Sequence, residues 1–201
     1  MMNKILIGLV LSLSASTYAY AAGDAAAGKE KAVACGACHA ADGNSEIGNF
    51  PKLAGQNAKY LIKQMVEIQS GARSVPEMAG QLDGKNEQDL EDLAAYFSSK
   101  KILGGKTAAD QLELGQSIYR SGIPAKQVAA CTACHGAKGQ GLSTAGFPAL
   151  GGQHAAYTQK QLQSFRTSLR DNDTNGMMRD IAARLSDVEI KAVSSYIQGL
   201  Y

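Results

Sequence analysis

Four cysteines and three histidines are the residues of this 201-residue chain whose types and spacing bear most directly on chemistry. All the cysteines and two of the histidines fall into two short motifs, Cys35-Gly36-Ala37-Cys38-His39 and Cys131-Thr132-Ala133-Cys134-His135. Two thiols one helical turn apart can each bond a vinyl group of the same porphyrin, and the next residue then lies under the iron as its proximal ligand. The pattern predicts two covalent c-type haems, attached at Cys35 and Cys38 and at Cys131 and Cys134, with His39 and His135 as axial ligands.

Three competing chemistries use the same cysteines. Two Cys-x-x-Cys pairs can hold a four-thiolate zinc, and one pair alone can be a thiol redox site. Neither explains a histidine after both pairs, and the pairs stand 96 residues apart. A structural disulfide across so short a spacing is strained.

The sixth ligand decides what such an iron can do. A thioether favours ferrous iron and raises the reduction potential, whereas an open position admits peroxide or oxygen. Beyond the first residues the chain offers Met65, Met78, Met177 and Met178. Met65 matches Leu162 of the other half and sits on an apolar helical face, so it reads as core. Met78 and Met178 match at an offset of 100 and are the expected distal ligands. Met177 is a rival to Met178, because one loop residue is enough to shift the register. His154 matches Asn57 at a helix start and reads as a solvated or capping residue.

The motifs belong to a longer repeat. Phe50-Pro51-Lys52-Leu53-Ala54-Gly55-Gln56 recurs as Phe147-Pro148-Ala149-Leu150-Gly151-Gly152-Gln153, and Tyr60 and Gln64 recur as Tyr157 and Gln161, all at an offset of 97. Leu90 to Tyr96 matches Ile190 to Tyr196 at 100. A tandem duplication follows, with a first domain at 22–103, a second at 104–201, and a join near Ser98 to Asp110. Residues 57–70 and 155–169 carry apolar positions at helical spacing, and Asn86 or Ser186 starts a final helix in each half, Ser186 with Glu189 in a capping-box pattern. No run alternates like a strand. Domains this small bury limited apolar surface, and a haem would supply the missing core.

Residues 1–21 read as a cleaved signal peptide: Lys4 precedes the apolar run Ile5 to Leu13, and Ala19-Tyr20-Ala21 supplies small residues before a cut at Ala22. The apolar run falls short of the roughly 20 residues that span a bilayer. The expected location is therefore the periplasm. A formal charge of +2 gives no argument for nucleic acid. The halves differ in sign: residues 22–103 carry 9 basic and 11 acidic groups, and 104–201 carry 10 and 7. Glu87, Asp89, Glu91 and Asp92 on one side, with Arg166, Arg170, Arg179 and Arg184 on the other, suggest ends that steer different partners.

Each half resembles a class I cytochrome c. The resemblance rests on Gly28 and Gly115 in a first helix, Cys-x-x-Cys-His, Pro-x-Leu-x-Gly at 51–55 and 148–152, a distal methionine and a closing helix with Tyr96 or Tyr196. The tandem pair is similar to the dihaem cytochrome c4 family. One departure is that the aromatic four residues after the glycine is present as Tyr119 but replaced by Ala32. The resemblance implies an all-α fold of two tandem class I cytochrome c domains related by a pseudo-twofold, each wrapped around one covalent haem c. It further implies that the carbonyls of Pro51 and Pro148 accept a hydrogen bond from the proximal imidazoles, which raises ligand basicity.

With a histidine and a methionine for each iron, the expected function is that of an electron carrier and not an enzyme. Its partners are then transient redox proteins: the resemblance implies relay from a cytochrome bc complex toward a haem-copper terminal oxidase, with membrane association only through those partners and no small-molecule substrate. The alternatives are the dihaem subunit of a flavoprotein sulfide dehydrogenase and a dihaem cytochrome c peroxidase. The subunit would carry a larger, more apolar interface. The peroxidase would need one iron able to open.

Overall fold

The structure, a computed structural model, describes residues 23–200. The leader expected at 1–21 lies outside them. The first half contains α1 (Ala25–Lys31), α2 (Gly36–His39), α3 (Ala58–Gln69) and α4 (Glu87–Ser98). The second contains α5 (Leu112–Ser121), α6 (Thr132–His135), α7 (Ala155–Arg166), α8 (Met177–Ala183) and α9 (Asp187–Gln198). Among the described residues there is no strand beyond two isolated antiparallel bridges, Ile123 with Val128 and Leu142 with Phe147.

Local chemistry sets where these helices begin. Asp24 caps α1 by accepting from Ala26 N at 2.7 Å. Asn86 and Ser186 each accept from the third residue of their helices, while Asp89 and Glu189 return the bond to the cap backbone. Both final helices thus carry the complete capping box.

In each half the first helix crosses the last at a glycine. A Cβ on Gly28 would lie 1.9 Å from Asp92 O, and one on Gly115 would lie 2.3 Å from Ala192 O, so only glycine permits these crossings. Ala32, in place of an aromatic, is buried in the first core and leaves the α1–α4 contact in place. The tyrosine that anchors the loop after the cysteine motif changes accordingly. Tyr119 Oη donates to Gly136 O at 2.7 Å in the second half, whereas Tyr96 Oη of the closing helix donates to Ala41 O at 2.7 Å in the first.

Two apolar cores result. One joins Ala32, Leu61, Leu93, Ala94, Tyr96 and Phe97; the other is larger and centres on Ile118, Tyr119, Leu162, Ile190, Val193 and Ile197. Full burial of the valine, leucine, isoleucine and phenylalanine side chains among them stabilises the fold by about 1.5–3 kcal/mol each.

The second half is the longer copy. Gly28 and Gly115 are 87 residues apart but Cys35 and Cys131 are 96 apart, so nine residues are added before the second motif. They form a turn closed by the Ile123–Val128 bridge, which places Val128 in the second core and Lys126 against Glu189 at 2.7 Å. Further along, α8 has no helical counterpart in the first half, where Met78 instead ends a short 3-10 turn.

The join is threaded between the halves. Asn44 holds Lys101 O and Leu103 N, at 3.0 and 2.8 Å, and Lys52 Nζ donates to Leu103 O. On the other side Gly105 N donates to Gln198 O at 2.9 Å and Ala108 N to Ser195 Oγ at 3.0 Å.

Candidate haem sites

Each cysteine motif forms one short helical turn, with Cys35 or Cys131 at its N-cap and the histidine at its end. His39 and His135 are buried, and each is tied to its first cysteine by a backbone bond of 2.9 Å. Their Nδ1 atoms donate to the carbonyls of Pro51 and Pro148, both at 2.9 Å. That bond fixes the tautomer and the ring plane, leaving Nε2 as the nitrogen for a metal. Burial lowers the pKa of both histidines, opposed by the proline carbonyls, and the neutral ring is the ligating form.

No disulfide joins the four cysteines. Cys35 and Cys131 pack against the two cores, while Cys38 and Cys134 are exposed. Burial raises the pKa of the Cys35 thiol and pushes that of Cys131 up to about 11, which disfavours the thiolate that thiol exchange needs. Among the described residues no three His, Cys, Asp or Glu side chains converge to hold a metal ion by themselves. Paired thiols beside an imidazole of fixed tautomer suit a porphyrin iron better than a thiolate cluster, and in that respect the residues fit a covalent haem in each half.

The methionines divide clearly. Met178, in the first turn of α8, is half-buried and packs against the second core, whereas Met177 beside it is 44% exposed. Asp173 accepts from Met178 N and Arg179 N, at 2.8 and 2.9 Å, and so sets where α8 begins. Met78 is half-buried and lines an open cleft of about 420 Å³ together with Ile68, Val75, Pro76 and Leu82. Met65 packs into the first core.

Between the halves lies a reciprocal polar interface. Arg73 donates to Gln64 of its own half and, across the interface, to Tyr157 at 3.1 Å; Arg170 donates to its own Gln161 and across to Tyr60 at 2.9 Å. Burial alone would raise the pKa of Tyr60, but Arg170 and Arg73 outweigh it and hold the pKa below the usual tyrosine value. A second reciprocal set joins Gln56 to the backbone of Ala149 and Gln153 to the backbone of Lys52. His154 is the N-cap residue of α7 and half-buried, but its side chain makes no capping bond: its Nε2 donates to Ser45 O at 2.7 Å, and its counterpart Asn57 donates to Phe147 O at 2.7 Å.

The charge clusters read from the sequence are reduced by this packing. Asp92 is buried and bonded to Lys31, which also engages Asp89 at 2.7 Å. Arg170 belongs to the interface, and Arg166, Arg179 and Arg184 pair with Asp187, Asp173 and Asp180. Sequence reasoning missed the interface arginines, although Arg73 and Arg170 stand at the same offset of 97 as Tyr60/Tyr157 and Gln64/Gln161. It also passed over Gln56 and Gln153 as mere members of the repeat.

Comparison with known proteins agrees with this arrangement. The family model for cytochrome c matches the chain twice, over residues 25–101 and 113–201. A protein of Pseudomonas aeruginosa named cytochrome c4 is 53% identical over 201 residues, covering 100% of both chains. The crystal structure of reduced recombinant cytochrome c4 from Pseudomonas stutzeri superposes with a TM-score of 0.88 at 50% identity, covering 90% of this chain and 100% of that one. A more distant relative from Stutzerimonas stutzeri, named a thiosulfate dehydrogenase electron acceptor, is 36% identical and covers 82% of this chain and 78% of its own length.

Proposed function

The chain belongs to the dihaem cytochrome c4 family, and from that premise we propose that it relays single electrons in the periplasm from a cytochrome bc complex toward a haem-copper terminal oxidase. It is an electron carrier with two covalent haem c groups, one for each domain. In this reading Cys35 and Cys38 hold the first and Cys131 and Cys134 the second, with His39 and Met78, and His135 and Met178, as the axial pairs. The domains are 22–103 and 104–201, after a leader at 1–21 that directs export. The bound group supplies a one-electron redox centre whose potential the axial ligands set.

The observation that carries the reading is the equivalence of the two sites. Both place a buried histidine with Nδ1 bonded to a proline carbonyl at 2.9 Å, and both offer a half-buried methionine at a matched position. Burial of His39 and His135 excludes water from the proximal side and favours the neutral ring, while the proline carbonyls orient each ring and raise its basicity. Two sites each able to fill both axial positions suit relay and leave no place for a substrate. The exposed Cys38 and Cys134 put the attachment edge within reach of a partner.

A redox titration followed optically tests the assignment. Two haems with a low-spin spectrum are expected, and Met78→His or Met178→His should each lower one potential within the roughly 0.8 V range that axial ligation commands. Met177→Leu should leave both unchanged. A high-spin ferric spectrum at neutral pH, or a potential unmoved by Met178→His, would overturn the ligand set.

A second reading concerns the donor alone. The relative named a thiosulfate dehydrogenase electron acceptor favours an enzyme that oxidises reduced sulfur as the source of the electron. Faster reduction by such an enzyme than by a bc complex would decide for it.

A further inference from the structure

The proline carbonyl that orients each proximal histidine belongs to a peptide unit whose N–H points the other way. Pro51 O accepts from His39 Nδ1 at 2.9 Å, and the N–H of that same amide, on Lys52, donates to Gln153 Oε1 at 2.9 Å. Gln153 is in the second domain. The mirror arrangement is equally complete: Pro148 O accepts from His135 Nδ1 at 2.9 Å, and Ala149 N donates to Gln56 Oε1 of the first domain at 2.7 Å. Each glutamine is clamped by a second bond, from its Nε2 to Lys52 O at 2.9 Å or to Ala149 O at 2.8 Å. Both are buried, at 6% and 8% exposure, so water does not compete for these bonds.

Hydrogen bonds in a chain polarise one another. An acceptor on the amide N–H draws electron density toward the carbonyl oxygen, which then accepts more strongly from the imidazole. A more strongly engaged Nδ1–H makes the ring a better donor at Nε2 and favours ferric iron. We propose that Gln153 and Gln56 are positioning residues acting in trans, each setting the basicity of the proximal histidine in the opposite domain through one shared peptide unit. The potential of each haem is thereby tied to the docking of the other domain. The inference rests on the assignment of His39 and His135 as ligands.

The test uses the full haem-loaded chain carrying Gln153→Leu or Gln56→Leu. The two potentials are read by optical titration, and the Nδ1–H proton resonances of His39 and His135 by NMR of the ferrous protein. Gln153→Leu should raise the potential of the haem held by His39 and move the His39 resonance, leaving those of His135 in place. Gln56→Leu should do the converse. A shift in the variant's own domain, equal shifts in both, or none would overturn the proposal.

His154→Ala removes a neighbouring cross-domain bond, to Ser45 O, without touching the Pro51–Lys52 amide. If it shifts the His39 haem as much as Gln153→Leu does, the effect is loosening of the interface and the proposal fails. Should a leucine variant not fold, Gln153→Asn and Gln56→Asn withdraw the acceptor by one methylene and are read the same way. A wild-type protein without histidine ligation sinks both readings; intact ligation with no crosswise shift sinks this one alone.

Discussion

Replacing Gly115 by alanine sets two effects of known sign against each other. Glycine inside a helix is about 0.8–1.0 kcal/mol less favourable than alanine, so the substitution would stabilise α5 if nothing met the new methyl group. In the structure that methyl would lie 2.3 Å from Ala192 O and 2.7 Å from Tyr196 Cβ. Neither atom has a rotamer with which to yield, so α5 must lift from α9. Overpacking of this kind costs about 1–3 kcal/mol, and contact with backbone places it at the upper end. The net loss is then about 2 kcal/mol after the gain in helix propensity. At about 2–4 °C per kcal/mol for two domains that melt as one unit, the midpoint should fall by about 4–8 °C. Thermal unfolding of the oxidised holoprotein, followed by far-UV circular dichroism and haem absorbance, reads this directly. A midpoint that is unchanged or raised would mean that propensity outweighs packing, and the argument for a glycine-dependent crossing would fall.

Three further outcomes follow from the same geometry. Ser186→Ala removes the cap of α9 and should cost about 1 kcal/mol, lowering the melting temperature by about 2–4 °C. Arg170→Met withdraws the bonds to Tyr60 and Gln64 across the interface, each charge-assisted bond contributing about 1.5–3 kcal/mol, and calorimetry should resolve the two domains as separate transitions. Arg170→Lys should not restore a joint transition, since an ammonium cannot span the positions of the guanidinium fork. The bonds from Lys31, Asp24 N and Gln88 hold Asp92 at a pKa of about 2, below its ordinary 3.8. A depressed carboxyl stabilises the fold above its unfolded pKa and loses that contribution as pH falls from 3.8 through about 2. Acid unfolding of Asp92→Asn should therefore be less steep over that interval than that of the wild type, and equal steepness would exclude the linkage.

Much of the haem chemistry was legible because it is local. Cys-x-x-Cys-His is complete within five residues, the caps at Asn86 and Ser186 need only the next turn, and duplication doubles every signal. Matching the halves favoured Met178 over Met177, and the proposal keeps that choice; in the structure Met178 is half-buried and Met177 is exposed. What sequence reading missed depends on contacts between distant segments. The turn at 122–130 carries no repeat partner, so its burial of Val128 is visible only in three dimensions. Arg170 looked like one surface cation among four until folding set it against Tyr60. His154 looked like a helix start because its backbone is one; its side chain reaches 109 residues back to Ser45. The join, read as an interruption between helices, proved to be stitched to both halves.

The exchanged bonds between the halves bear on how the tandem chain holds together. Arg73 meets Tyr157 as Arg170 meets Tyr60, and Gln56 meets Ala149 as Gln153 meets Lys52. Contacts in which i touches j and j touches i are the isologous pattern of a C2 homodimer, here written into one polypeptide. Covalent joining changes the law such an association obeys. Two separate copies would meet at a rate and occupancy set by dilution, whereas the segment between α4 and α5 fixes an effective concentration that dilution cannot alter, of millimolar order for a short linker. The two redox centres therefore stay in register whatever the concentration of the chain. Each copy is also free to diverge, as the added turn before Cys131 and the helix at Met178 already do.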